Sequence, residues 1–150
     1  MPQTTEKART RAKSSVSATA PFASLIAAAH TFADLSGAVV LKHFRRSLSV
    51  DNKAAGKAAG GVAGFDPVTE ADRAAERAIA KALKARFPTH ALTGEEYGQA
   101  NGESRYRWVV DPIDGTRAFI MGSPLWGTLI GLLDEEKPVL GLMDQPFTGE

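Results

Sequence analysis

The stretch Asp111-Pro-Ile-Asp-Gly-Thr116 follows directly on the apolar run Trp108-Val-Val110. It constrains the fold more than any other segment, because it sets two carboxylates three residues apart where a strand is forced to change course. Pro112 removes a backbone donor and biases Asp111 toward extended geometry, so a strand is expected to end here with its carboxylates at a sheet edge or beyond. Gly115 lets the backbone approach a ligand closely, and Thr116 supplies a hydroxyl. Two hard oxygen donors on one turn suit Mg²⁺, which takes carboxylate oxygens and waters and is often shared with a substrate phosphate.

Composition narrows what surrounds that turn. With 150 residues, 43% hydrophobic and 23% charged, the chain reads as one globular domain able to bury a core. A net charge of +1 argues against nucleic acid as a partner. Its basic excess sits in residues 1–20, where Lys7, Arg9, Arg11 and Lys13 stand against Glu6, so the remainder is slightly acidic. The absence of cysteine excludes disulfides, thiol catalysis and thiolate metal sites, leaving oxygen or the three histidines to hold a metal. No apolar run is read as reaching the roughly 18 residues of a membrane span. The expectation is a soluble, cytoplasmic protein with no membrane partner.

Along the chain, residues 1–20 read as a disordered tail. From Pro21, suited to a first helical turn, Phe22, Leu25, Ile26, Ala29, Phe32, Ala33, Val39, Val40 and Phe44 recur at spacings of three, four and their sums. That pattern predicts an amphipathic helix to about Arg45. Residues 47–50 suggest a short strand, and the Ala, Gly and Lys segment 51–64 a flap carrying Lys53. A second helix is expected from Thr69 as N-cap to about Phe87, with Pro88 stopping it. Asp72 then falls at the capping-box position, which accounts for it without any chemistry. Ala91-Leu-Thr93 is a short extended piece running into the loop Gly94-Glu-Glu-Tyr-Gly98. The runs 125–133 and 138–143, joined by the polar turn Asp134-Glu-Glu-Lys137, make a hairpin. Helices first and strands afterwards favour an α+β arrangement, with two long helices packed on a mainly antiparallel sheet.

Taken together and in order, Asp66-Pro-Val-Thr-Glu-Ala-Asp72, Gly94-Glu-Glu96 and Trp108-Val-Val-Asp-Pro-Ile-Asp-Gly-Thr116 resemble the inositol monophosphatase family of Mg²⁺-dependent, lithium-sensitive phosphomonoesterases. The likeness spans about residues 22–147. Within that family, Arg117-Ala-Phe-Ile120 and the stretch Gly122 to Gly131 look most like the histidinol-phosphatase branch. The flap is longer and richer in Ala and Gly than the family pattern. The chain also stops where family members continue through a second half, so residues 21–150 are expected to form the N-terminal, metal-binding part of a layered αβαβα sandwich whose C-terminal half is absent.

The resemblance implies two or three Mg²⁺ ions, a small phosphorylated substrate and a homodimer. Glu95, Asp111 and the carbonyl of Ile113 would hold the first metal, with Asp111 bridging to a second that Asp114 also holds. Thr116 would orient the attacking water with Asp72 behind it as proton acceptor, and Glu95 joins them as a catalytic group. Asp114, the backbone amides of Gly115 and Thr116, and Arg117 would meet the substrate and its phosphate. Glu96 reads as a supporting or surface acid, and none of His30, His43 and His90 is assigned to metal. Two classes of function stay open: a Mg²⁺-dependent phosphomonoesterase, with histidinol phosphate ahead of inositol monophosphate, and a non-catalytic module that keeps the fold. Nucleic-acid binding through the basic tail is the weakest of the alternatives.

Overall fold

The structure, a computed structural model, describes residues 21–47, 49–52 and 67–150. The tail 1–20, Lys53, Asp66 and nearly all of the expected flap lie outside the described residues.

Helix α1 spans Phe22–Val40 and buries Leu25, Ala28, Ala29, Phe32, Ala33, Ser36, Gly37 and Val40. Those positions alternate steps of three and one, which traces one helical stripe. The helix ends earlier than its apolar spacing predicts. From Leu41 the chain tightens into turns, with Lys42 N–H donating to Val39 O and His43 N–H to Val40 O, until Arg45 enters the left-handed region at φ 57°. Arg45 Nε then donates to Gly122 O at 3.0 Å, and its guanidinium lies over the rings of Phe44 and Phe147. By length and composition α1 is apolar enough to cross a membrane, contrary to the sequence expectation. Its buried stripe carries part of that composition, while Phe22, Ile26 and Leu35 are exposed.

A two-stranded ribbon follows, β1 (Val50–Asn52) paired antiparallel with β2 (Pro67–Thr69). The strand β2 was not expected, since its residues read only as the approach to the second helix. Thr69 ends β2 and caps helix α2 (Glu70–Arg86), with both halves of a capping box formed to Asp72. Lys84 and Arg86 in the last turn suit the helix dipole, and α2 stops ahead of Pro88.

The remaining strands are β3 (Ala91–Gly94), β4 (Gly98–Ala100) and β5 (Tyr106–Asp114), then, after helix α3 (Thr116–Ile120), β6 (Gly127–Asp134) and β7 (Lys137–Asp144). They form one sheet in the order β4-β3-β5-β6-β7. The β3–β5 pair is parallel and every other neighbour antiparallel, so the sheet is mixed with antiparallel pairs in the majority. The hairpin between β6 and β7 turns on Glu135 and Glu136 alone, both at positive φ, a tighter connection than the four-residue turn expected. Arg105 pairs with Asp134, and Arg107 Nε reaches Glu136 at 3.4 Å.

Tyr106, Trp108 and Val110 on β5 face α1 and α2, where they join Leu25, Phe32, Ile79 and Leu83 in the main core. Trp108 stands edge-on to Phe32 with ring centroids 5.1 Å apart, and its indole N–H donates to His90 Nδ1 at 3.1 Å. A second cluster, Val40, Phe44, Ala71, Ala75, Ile113, Phe119 and Trp126, lies beneath α3. It anchors the turn between β5 and α3 to both long helices.

Candidate metal centre

The strand β5 does not stop at Asp111. It pairs with β6 as Asp111↔Leu129 and resumes as Asp114↔Gly127, with Pro112 and Ile113 together opposite Thr128. That is a bulge, placed where Pro112 has no N–H to give the ladder. Thr128, wholly buried, donates its hydroxyl to Pro112 O at 2.8 Å, and Ser36 of α1 stands 3.1 Å from the same hydroxyl. The carbonyl left over by the bulge is thereby satisfied. The bulge also changes parity: in a regular strand residues three apart point to opposite faces, whereas one extra residue returns Asp111 and Asp114 to the same side.

Both carboxylates accordingly line one cavity of about 260 Å³, together with Glu95, Ile113, Gly115, Thr116 and Arg117. A larger concavity of about 480 Å³ lies between α1 and β7, but apart from His30 its lining is apolar or glycine. The smaller one gathers the acidic side chains of the motif. Gly115 N-caps α3 at φ 87°, and a Cβ there would sit 2.9 Å from Leu125 O, so conformation and space both exclude a side chain.

Asp111 is half-buried, hydrogen-bonds to Glu95 and takes the Ile113 N–H on Oδ1 at 3.1 Å. Burial, then Glu95, then the charge of Asp114 push its carboxyl up to about 8. A carboxyl so disfavoured in its charged form by burial and by neighbouring acids gains from a cation beside it. Among the described residues, no group of three or more His, Cys, Asp or Glu side chains is arranged so as to hold a metal ion. The donor set still fits Mg²⁺ in kind: carboxylates and a carbonyl, all hard oxygen, with no sulfur.

Asp72 is almost wholly buried, and its Oδ2 takes both the Thr69 N–H at 2.8 Å and the Thr69 hydroxyl at 2.5 Å. Burial holds its carboxyl above the ordinary value against those hydrogen bonds, and the charge of Glu95 adds to the rise. Asp72 is engaged by its capping partner, and Thr116 Oγ1 donates to Ile113 O at 2.9 Å. Arg117 lines the cavity from the first turn of α3.

Glu76 escaped the sequence reading. It is 1% exposed on the inner face of α2, where it accepts N–H bonds from Glu96 and Tyr97 at 2.8 and 3.0 Å. Its signal was available: a carboxylate one helical turn after Asp72, set among Ala75 and Ile79 on the apolar face. Thr128 and Ser36 were missed because nothing in their local sequence marks the bulge they satisfy.

The chain matches the sequence profile described as the Inositol monophosphatase family over residues 22–150. It is 44% identical over 126 residues to the chloroplastic bifunctional phosphatase IMPL2 of Arabidopsis thaliana, covering 83% of this chain and 34% of that protein. It is 42% identical over 119 residues to the histidinol-phosphatase of Chlorobaculum parvum, covering 79% of this chain and 42% of the relative. Among solved structures, the extragenic suppressor protein suhB of Bartonella henselae superposes with a TM-score of 0.74 at 29% identity, covering 85% of this chain and 47% of that one. The chain thus spans between a third and a half of the length of these proteins.

Proposed function

The chain belongs to the inositol monophosphatase family, and from that premise we propose that it serves Mg²⁺-dependent hydrolysis of a small phosphate monoester, L-histidinol phosphate first and inositol monophosphate second. One observation carries the reading: the bulge in β5 gathers Asp111 and Asp114 with Glu95 and Thr116 around a single cavity. Histidinol-phosphatases among the similar proteins support the order of substrates.

Glu95, Asp111, the carbonyl of Ile113 and Asp114 would hold the metal. Mg²⁺, when bound, supplies a polarised water and neutralises charge developing on the leaving oxygen. The work of the chain itself is positional. Gly115, at φ 87° with no room for a side chain against Leu125 O, sets the turn into α3, and the backbone amides of Gly115 and Thr116 are the donors proposed to receive phosphate oxygens. Arg117 adds a cation on the same rim. The Thr116 hydroxyl is proposed to orient the attacking water, and Asp72, whose carboxyl burial already holds above its ordinary value, to accept the proton. A homodimer is the proposed assembly, which light scattering measures directly.

Phosphate release from histidinol phosphate, inositol 1-phosphate and a panel of other monoesters, with and without Mg²⁺, tests the proposal. It requires Mg²⁺-dependent release led by histidinol phosphate. Release indifferent to Mg²⁺, or confined to other monoesters, would overturn it.

A further inference from the structure

Glu76 is a buried carboxylate that the proposed chemistry does not use. A carboxyl group withdrawn from water costs several kcal/mol unless donors replace the solvent. Here two consecutive backbone amides do so, Glu96 N–H on Oε2 and Tyr97 N–H on Oε1. These belong to the turn between β3 and β4 that carries Glu95.

The chain makes room for this contact. A Cβ on Gly94 would lie 1.8 Å from Glu76 Oε1 and 2.2 Å from its Cδ, so only glycine admits the carboxylate. From the outer side, the next residue of α2, Arg77, donates to the Tyr97 hydroxyl and pairs with Glu70. Beyond the turn, β4 is exposed throughout and pairs only with β3, so these contacts tie the turn to α2. Glu95 meets Asp111 only if the turn holds its place.

We propose that Glu76 is a positioning residue of the metal centre: through the amides of Glu96 and Tyr97, and with Gly94 as its required gap, it fixes the turn that delivers Glu95 to Asp111. The proposal rests on the metal-site reading above. Partners that orient ligands in this way typically set metal affinity by about 10-fold to 100-fold. Glu76→Gln preserves shape but places an NH₂ donor where one of the two carboxylate oxygens stood, so in this geometry one of the two N–H groups faces a donor and loses its bond.

The test is Mn²⁺ titration calorimetry joined to residue-resolved amide exchange on the purified protein and on Glu76→Gln, Gly94→Ala and Gly94→Ala/Glu76→Asp. In the unsubstituted protein the amides of Glu96 and Tyr97 are expected to exchange slowly. Glu76→Gln is expected to expose at least one of them and weaken Mn²⁺ binding at least about 10-fold, with amides at the centre of β5 unchanged. Gly94→Ala is expected to do the same by displacing the carboxylate, and the shorter side chain of Glu76→Asp in the double variant to recover part of the loss. If Glu76→Gln does not fold, Gly94→Ala carries both readouts. Unchanged Mn²⁺ affinity in a variant whose two amides have lost protection overturns the positioning role alone. No Mn²⁺ uptake by the unsubstituted protein overturns the metal-site reading on which it depends.

Discussion

Thr69→Val tests how the start of α2 is held, and its cost follows from a few contacts. Thr69 is wholly buried; its hydroxyl donates to Asp72 Oδ2 at 2.5 Å and accepts the Asp72 N–H at 3.4 Å. Valine keeps the volume and deletes the hydroxyl. The bond to a charged acceptor is worth about 1.5 to 3 kcal/mol. The cap bond is long, so its loss belongs near the low end of about 0.5 to 2 kcal/mol. One N–H, from Thr69 itself, remains on Asp72 and limits the damage. The expected loss is about 2 to 3 kcal/mol, a large part of the stability of a small domain. Thr69→Ser keeps the hydroxyl and forfeits only a buried methyl, about 1 kcal/mol. Urea denaturation of the three proteins, compared at equal slope, measures both differences. Should Thr69→Val fall within about 0.5 kcal/mol of the unsubstituted protein, or below Thr69→Ser in cost, the capping account of Asp72 is refuted.

Gly115→Ala is expected to cost about 2 kcal/mol, since it adds a side chain to a left-handed residue and presses on Leu125 O; thermal unfolding at unchanged Tm would contradict this. His90 is held below its ordinary pKa by burial and accepts the Trp108 indole N–H. Its folded pKa lies below the unfolded one, so its neutral form stabilises the fold fully above the unfolded value of about 6.5, and that contribution fades as pH falls toward the folded pKa. His90→Phe is therefore expected to lessen the loss of stability on acidification below about pH 6.5, and a variant as acid-sensitive as the unsubstituted protein would refute this. Thr116→Ala is expected to lower turnover about 100-fold while leaving Mg²⁺ affinity nearly unchanged; an equal fall in affinity would show that the hydroxyl serves the ions.

The helices and the start of the sheet were legible because they follow period. The stripe of α1, the Thr69 cap and the stop before Pro88 each depend on residues within a turn or two. The losses have physical reasons. Strand β4, Gly98-Gln-Ala100, is wholly exposed and carries no alternation. Strand β2 is three residues long, and its last residue doubles as a helix cap. The continuation of β5 past Pro112 depends on the hydroxyl of Thr128, sixteen residues away, which local sequence does not reveal. At the site, the motif residues Glu95, Asp111, Ile113, Asp114, Gly115, Thr116 and Arg117 do share one cavity. How Asp111 and Asp114 reach the same face was not legible, because it is a property of the bulge. Nor was the part played by Glu76, whose partners are backbone amides of another element.

Divalent-cation binding in the cavity beneath the β5 bulge is proposed to run through Asp111. Calorimetric titration of Mg²⁺ and Mn²⁺ into the unsubstituted protein and into Asp111→Asn tests it most directly. Saturable binding is expected, weakened at least about 10-fold by Asp111→Asn, since one carboxylate among few fixed ligands is lost. Equal affinity in the two proteins would contradict it.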